Sequence, residues 1–380
     1  MAPPTRDLQM SLSPEENKRY ARHFTLPEVG KAGQEKLKNS SVLCIGTGGL
    51  GSPVALYLAA AGVGTIGLVD DDQVETSNLQ RQIIHGESWI GKPKLDSAKA
   101  RLLEVNPHIN VVTYNARFTS KNAVEIINDQ DYDVIIDGTD NFPTRYLSND
   151  VAYLLQKPNI YGSIFRFEGQ MSVFAPHLGG PCYRCMLPEP PDPGTVPSCA
   201  EAGVLGVLPG IIGSLQAMEA IKILLNAGTP PLGKLIHYDA LSTSFKHFNL
   251  RKDPQCPLCG ENPTIKELID YEEFCGVKPP ETMTEITVTE LRDKLAAGLD
   301  GKLIDVRMPD EHAECSIDGS TLIPLPEIPN KYSELPQDEI LYIHCKGGVR
   351  SAKACSYLAT QGFTKLVNIK GGMDAWLELT

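Results

Sequence analysis

Short apolar runs alternate along this chain with longer stretches of mixed polarity, and their periods mark the elements. Residues 41–45, Ser-Val-Leu-Cys-Ile, form an apolar run that ends in glycines, the pattern of a strand buried on both faces. Residues 54–61 are rich in Ala and Leu and predict a helix. The strand signal returns at 65–69, 111–114 and 134–136, and helices are expected at 95–105 and 123–128. Strand alternating with helix predicts an α/β fold with a parallel, doubly wound sheet. Residues 159–161, 171–174 and 235–238 continue the strand pattern. Upstream, Ser13 followed by Pro14, Glu15 and Glu16 is a helix-start signal.

The texture changes at residues 261–283, where Asn262-Pro263, Gly276, Pro279-Pro280 and several glutamates read as a linker. A smaller α/β unit is expected over 284–380, with strands at 303–306, 340–343 and 366–369 and helices at 289–297 and 351–361. The larger domain then covers 1–260. The charge-free stretch 202–218 carries Gly203, Gly206, Pro209, Gly210, Gly213 and Gln216, so it reads as a buried loop entering a buried helix rather than a membrane span.

Composition supports two soluble domains in 380 residues. Lys and Arg total 35 against 47 Asp and Glu, a net charge of -12. That balance argues against a protein that wraps nucleic acid or coats anionic lipid. Ten cysteines are too sparse for a disulfide scaffold and suit metal binding or thiol chemistry in a reducing compartment. The first residues lack the apolar core of a signal peptide, and a cytoplasmic location is expected.

Candidate chemistry begins at Gly46-Thr-Gly48-Gly49-Leu-Gly51, between a strand and a helix. Glycines there let backbone N–H groups approach a phosphate at the helix N-terminus. Asp70 closes the next strand, where a carboxylate can accept from ribose hydroxyls. Ser77-Asn78-Leu79-Gln80-Arg81 follows, then Lys94. A dehydrogenase has no need of these cations, whereas splitting a triphosphate requires charge to be neutralised in place. Asp140-Asn141 lies just beyond the strand at 134–136, and Asp140 is positioned to hold Mg²⁺.

Cys182-Tyr-Arg-Cys185 and Cys256-Pro-Leu-Cys259 are two knuckles whose four thiolates suit a closed structural Zn²⁺ site. Cys345-Lys346-Gly347-Gly348-Val349-Arg350 separates a strand from a helix. Its glycines allow N–H groups to curl around the sulfur, and the helix dipole favours the thiolate. A phosphatase loop would place its arginine one residue later. The tighter cradle suits a persulfide.

The motifs at 46–51, 77–81 and 140–141, with Arg19-Tyr-Ala-Arg22, resemble the adenylation domain of molybdopterin-synthase and thiamine sulfur-carrier activating enzymes, the ancestral ubiquitin-activating fold, over residues 12–260. Cys345–Arg350, Asp305-Val-Arg307 and Gly371-Gly-Met-Asp-Ala-Trp376 resemble a single-domain rhodanese. The fusion is similar to adenylyltransferase–sulfurtransferases. The resemblance implies ATP-dependent adenylation of the C-terminal glycine of a ubiquitin-like sulfur carrier ending in Gly-Gly. Sulfur transfer from a Cys345 persulfide would then give a thiocarboxylate for a molybdopterin, thiamine, cysteine or tRNA-thiolation pathway. It further implies a homodimer in which Arg22 reaches the neighbouring nucleotide, the same four zinc ligands, and a thioester or resolving role for Cys199. A cysteine desulfurase or thiosulfate would supply the persulfide. An NAD-dependent oxidoreductase fused to a rhodanese is the alternative reading.

Overall fold

The computed structural model describes residues 11–191, 203–276 and 283–379. They divide into two compact units, with the main break between Tyr271 and Glu272.

The first unit is built on eight strands: β1 (Ser41–Ile45), β2 (Thr65–Asp70), β3 (Asn110–Asn115), β4 (Val134–Asp137), β5 (Asn159–Phe165), β6 (Glu168–Phe174), β7 (Lys234–Asp239) and β8 (Ser244–Asn249). Their order is β3-β2-β1-β4-β5-β6-β7-β8. Strands β1 to β5 pair in parallel, and β6 to β8 extend the sheet antiparallel. Val42 pairs with Ile66 on one side and Val134 on the other, so β1 is central and wholly buried. The chain winds outward in opposite directions from β1. The loops after β1 and β4 therefore part and leave a crevice at the strands' carboxyl ends.

Helices Gly51–Ala61, Lys94–Val105 and Val207–Leu225 contribute to the main core with Val42, Ile66, Val134 and Ile160. Val207–Leu225 is long and apolar enough to cross a membrane, but half of its most apolar window is buried against the rest of this unit. Its Gln216 Nε2 donates to the backbone carbonyls of Asp137 and Ile160 at 2.8 and 3.1 Å, using both of its N–H groups inside the core. Gly213 allows the helix to approach the Leu50 carbonyl, where a side chain would collide.

Two helices, Gly30–Lys38 and Phe142–Leu154, and the exposed edge strand β8 are additions to the elements read from the sequence. The second helix carried a readable start: Asn141 accepts from the Thr144 N–H at 3.0 Å, and Pro143 occupies the first turn. Residues 261–271, within the stretch read as linker, lie against the first unit. Ile265 packs on the cysteine knuckles, and the Tyr271 hydroxyl donates to Asp150 at 2.9 Å.

The second unit is a five-stranded parallel sheet: β9 (Met283–Thr287), β10 (Gly301–Asp305), β11 (Thr321–Leu322), β12 (Ile340–His344) and β13 (Leu366–Lys370). Its order is β11-β10-β12-β13-β9. Central strand β12 sends Leu341 and Ile343 into one apolar cluster and Tyr342 into another, so both faces are covered. The carboxyl end of β12 delivers Cys345 into the turn before helix Val349–Thr360.

Candidate functional site

The loops after β1 to β4 enclose a cavity of about 370 Å³. Gly46, Gly48, Gly49, Asp70, Asn78, Arg81, Lys94, Asp140 and Asn141 of the sequence motifs line it together. Gly51 lies beneath the turn, where an added Cβ would overlap the Gly46 carbonyl oxygen. Ser77, Leu79 and Gln80 do not line the cavity, although the Ser77 carbonyl accepts from Arg81 Nη1 at 2.9 Å. Arg22 is exposed on the short helix Ala21–Phe24, away from the lining.

Asp70 serves two sides. One oxygen accepts from the Thr47 N–H and hydroxyl at 2.8 and 2.7 Å, which braces the glycine turn, and the other accepts from the Asp72 N–H at 3.0 Å. His85 supports the same turn from below. Its Nε2 faces the Thr47 carbonyl at 3.1 Å, so Nε2 carries the proton and Nδ1 accepts from Ser97 at 3.0 Å. Burial pushes His85 down to about 4, against the opposing Thr47 bond, and keeps it neutral near pH 7. Lys94, almost wholly buried, holds Asp72 at 2.7 Å, a carboxylate contact that a phosphate oxygen can replace.

Asp137 ends β4 under the cavity, where it accepts from Thr139 N–H and hydroxyl at 3.0 and 2.6 Å and from Ser148 at 2.8 Å. Burial raises its pKa despite nearby Arg145 and these hydrogen bonds. Sequence reasoning missed Gln82, Phe118, Thr144 and Arg145, all in the lining. Gln82 directly follows Arg81, so its neighbour pointed to it, whereas Arg145, one helical turn past Asn141, carries no signal of burial in the sequence.

Cys182, Cys185, Cys256 and Cys259 converge, with all four sulfurs within 4.8 Å of one another. Neighbouring sulfurs are 3.4, 3.5 and 3.8 Å apart. Zinc thiolates at ~2.3 Å occupy tetrahedral corners about 3.8 Å apart, so the cluster fits Zn²⁺ with no open position. Backbone N–H groups of Asp253 and Cys259 point at Cys185 and Cys256, an arrangement that would stabilise metal-bound thiolates. The buried Arg184–Asp150 pair, closest at 2.8 Å, ties this knuckle to helix Phe142–Leu154.

In the second unit, Cys345 is buried at the mouth of its loop. It accepts from the Gly348 N–H at 3.1 Å and the Ser351 hydroxyl at 3.3 Å. Gly348 has φ +93, which a side chain would strain, and this turn aims its N–H at the sulfur. Lys346, Gly347 and Val349 complete the exposed rim. Arg350 forms a bidentate pair with Glu311, both contacts at 2.6 Å. From behind, Met373 and Asp374 N–H groups donate to the Cys345 and Lys346 carbonyls at 2.8 and 2.9 Å. Asp305 holds Arg307 at 2.7 Å and His312 at 2.8 Å, fixing the neighbouring strand end. Cys199 lies outside the described residues. Burial raises Cys44 and Cys355 to about 12, the behaviour of inert core thiols.

Residues 20–258 match the ThiF family and residues 287–379 the rhodanese-like domain. The chain belongs to the ThiF family. It is 48% identical over 386 aligned residues to the probable adenylyltransferase/sulfurtransferase MoeZ of Mycobacterium tuberculosis, covering 99% of this chain and 96% of that protein. It is 53% identical to the sulfur carrier protein adenylyltransferase of Thermus thermophilus, covering 71% of this chain and all of that one. Among solved structures, E. coli MccB with ATP superposes with a TM-score of 0.54 at 25% identity, covering 65% of this chain and 75% of that chain. This ThiF-family chain is accordingly an enzyme, an adenylyltransferase and sulfurtransferase, and nothing in these matches supports the oxidoreductase alternative.

Proposed function

We propose that the enzyme adenylates the C-terminal glycine of a ubiquitin-like sulfur carrier ending in Gly-Gly and then converts it to a thiocarboxylate. The observation that carries this reading is the pairing of a phosphate-suited cavity with a cysteine cradled by N–H and O–H donors in one chain. The Thermus relative's name as a sulfur carrier protein adenylyltransferase supports the carrier class, and the ATP complex of MccB supports the nucleotide.

In the first step a carboxylate oxygen of the carrier attacks the α-phosphorus of ATP, and the bond to pyrophosphate breaks. The amides of Gly46–Gly51, Arg81 and Lys94 take up negative charge on the phosphates while Asp70 holds the ribose. Asp140, with the Asp70–Asp72 carboxylates nearby, would hold Mg²⁺, which when bound neutralises phosphate charge. Arg22 completes the site of a second copy in a homodimer. In the second step the terminal sulfur of a Cys345 persulfide attacks the acyl carbonyl and AMP leaves, giving an acyl disulfide. A thiolate, assigned to Cys199, attacks the Cys345 sulfur and releases the thiocarboxylate; the resulting disulfide is reduced by an external dithiol. A cysteine desulfurase or thiosulfate recharges Cys345. The four knuckle thiolates hold structural zinc, and free thiols fit a reducing cytoplasm.

Wild-type protein should catalyse ATP–pyrophosphate exchange only when a Gly-Gly carrier with a free carboxylate is present. Exchange that ignores the carrier, or binding of nicotinamide dinucleotide in place of ATP, would overturn the reading.

A further inference from the structure

The strand order gives the cavity a direction. Phe118 and Arg117 follow β3, Asp70 ends β2, the glycine turn follows β1, Asp140 and Asn141 follow β4, and Ile164 belongs to β5. Because the sheet runs β3-β2-β1-β4-β5, these groups stand in that order along its carboxyl edge. An apolar wall for a base, a ribose acceptor and a phosphate turn then succeed one another. The β4–β5 end lies beyond the phosphates, on the side left for the second substrate.

At that end lies Arg145, on the first turn of helix Phe142–Leu154, only 9% exposed yet part of the cavity wall. Among the described residues its guanidinium makes a single hydrogen bond, from Nη2 to the Thr139 carbonyl at 3.4 Å, and its buried Nε has no acceptor. Phe142 and Tyr161 rings flank the guanidinium at 5.5 and 5.7 Å and hold it in place. Asp137 is near, but its oxygens are engaged by Thr139 and Ser148, and neither it nor Asp140 bonds directly to Arg145. A buried guanidinium without a counter-ion in contact is costly and implies an anion that arrives with the substrate.

We infer that Arg145 receives the C-terminal carboxylate of the incoming acyl substrate, holding it at the β4–β5 end for attack on the α-phosphorus. The inference rests on the adenylation reading above and assigns the carboxylate its own cation, separate from Arg81 and Lys94 at the phosphates. Two anions must meet in this reaction, and a fixed fork at one of them lowers their repulsion without competing for ATP.

The test compares wild type with Arg145→Met and Arg145→Lys, using a ubiquitin-like carrier ending in Gly-Gly and its C-terminal carboxamide. Calorimetry with ATP alone should give affinities within about twofold for all three proteins, which also reports an intact site. In carrier-dependent exchange, Arg145→Met should raise KM for the carrier by about tenfold or more, with Arg145→Lys in between. Binding in wild type should favour carboxylate over carboxamide, and that preference should vanish in Arg145→Met. If ATP affinity falls instead, or the carboxylate preference survives, the inference is overturned while the adenylation reading stands. If wild type shows no carrier-dependent exchange, the adenylation reading fails and the inference falls with it.

Discussion

Four glycines of the nucleotide turn look alike in the sequence, but their surroundings separate them. A methyl on Gly51 would strike the Gly46 carbonyl, an atom of the rigid backbone that opens the turn, whereas one on Gly48 would meet only Gln82 Nε2 at 3.6 Å. Gly51→Ala should therefore lower the stability of the first unit by roughly 3 kcal/mol or more, and Gly48→Ala should fold nearly as well as wild type. Thermal melts of the two variants check this; equal losses would mean that the turn tolerates the Gly51 methyl by moving. The same contrast shows why the sequence reading stopped where it did. The need for glycines follows from a strand meeting a helix over a phosphate, but which glycine faces backbone depends on the return path of residue 46. Arg145 was hidden for a related reason. A lone arginine inside a helix is ordinarily a solvated surface charge, and only the packing of Phe142 and Tyr161 around it shows that it is buried.

At the scale of elements, the central strands were legible because burial on both faces writes an unbroken apolar run, as at β1 and β4. β8 was not, since nearly all its residues are exposed and Ser-Phe-Lys-His-Phe-Asn carries little core signal. Helix Phe142–Leu154 has a wider role than either of its ends suggests. Its start borders the cavity at Asn141, while further along Asp150 grips Arg184, between two of the four knuckle cysteines, and accepts from Tyr271. The knuckles spell out their ligand set in the spacing, but the junction with this helix depends on a buried ion pair that no local pattern announces. Zinc bound by the four thiolates would join Cys182–Cys185 to Cys256–Cys259 beside this helix. Protein purified without chelators should contain about one zinc per chain, and stripping it should lower the melting temperature of the first unit while sparing thiosulfate sulfurtransferase activity in the second. Metal analysis well below one zinc per chain would refute the clip.

For the whole molecule, two chemistries are housed in units with separate sheets and separate cores. Among the described residues the cavity is lined by the first unit alone, and the Gly348 and Ser351 donors to Cys345 belong to the second. The second set of strand signals pointed to a second unit, while the change in texture near residue 261 precedes the break between Tyr271 and Glu272 by ten residues. The partial reactions should therefore come apart under single substitutions. Cys345→Ala should leave carrier-dependent pyrophosphate exchange nearly intact, because that step needs the carboxylate, ATP and the cations of the first unit. It should abolish sulfur transfer from thiosulfate, since the sulfur held by the Gly348 N–H and the Ser351 hydroxyl is the one that must accept it. Asp140→Ala should do the reverse, losing exchange by two orders of magnitude or so while keeping thiosulfate activity. Thiocarboxylate formation requires both steps, so either variant alone should fail to produce it, and mixing the two should restore it only if a persulfide can reach an adenylate on another chain. Assaying all three reactions on both variants decides the matter. Loss of exchange in folded Cys345→Ala would show that the thiol takes part in adenylation and that the two units do not work as successive, separable catalysts.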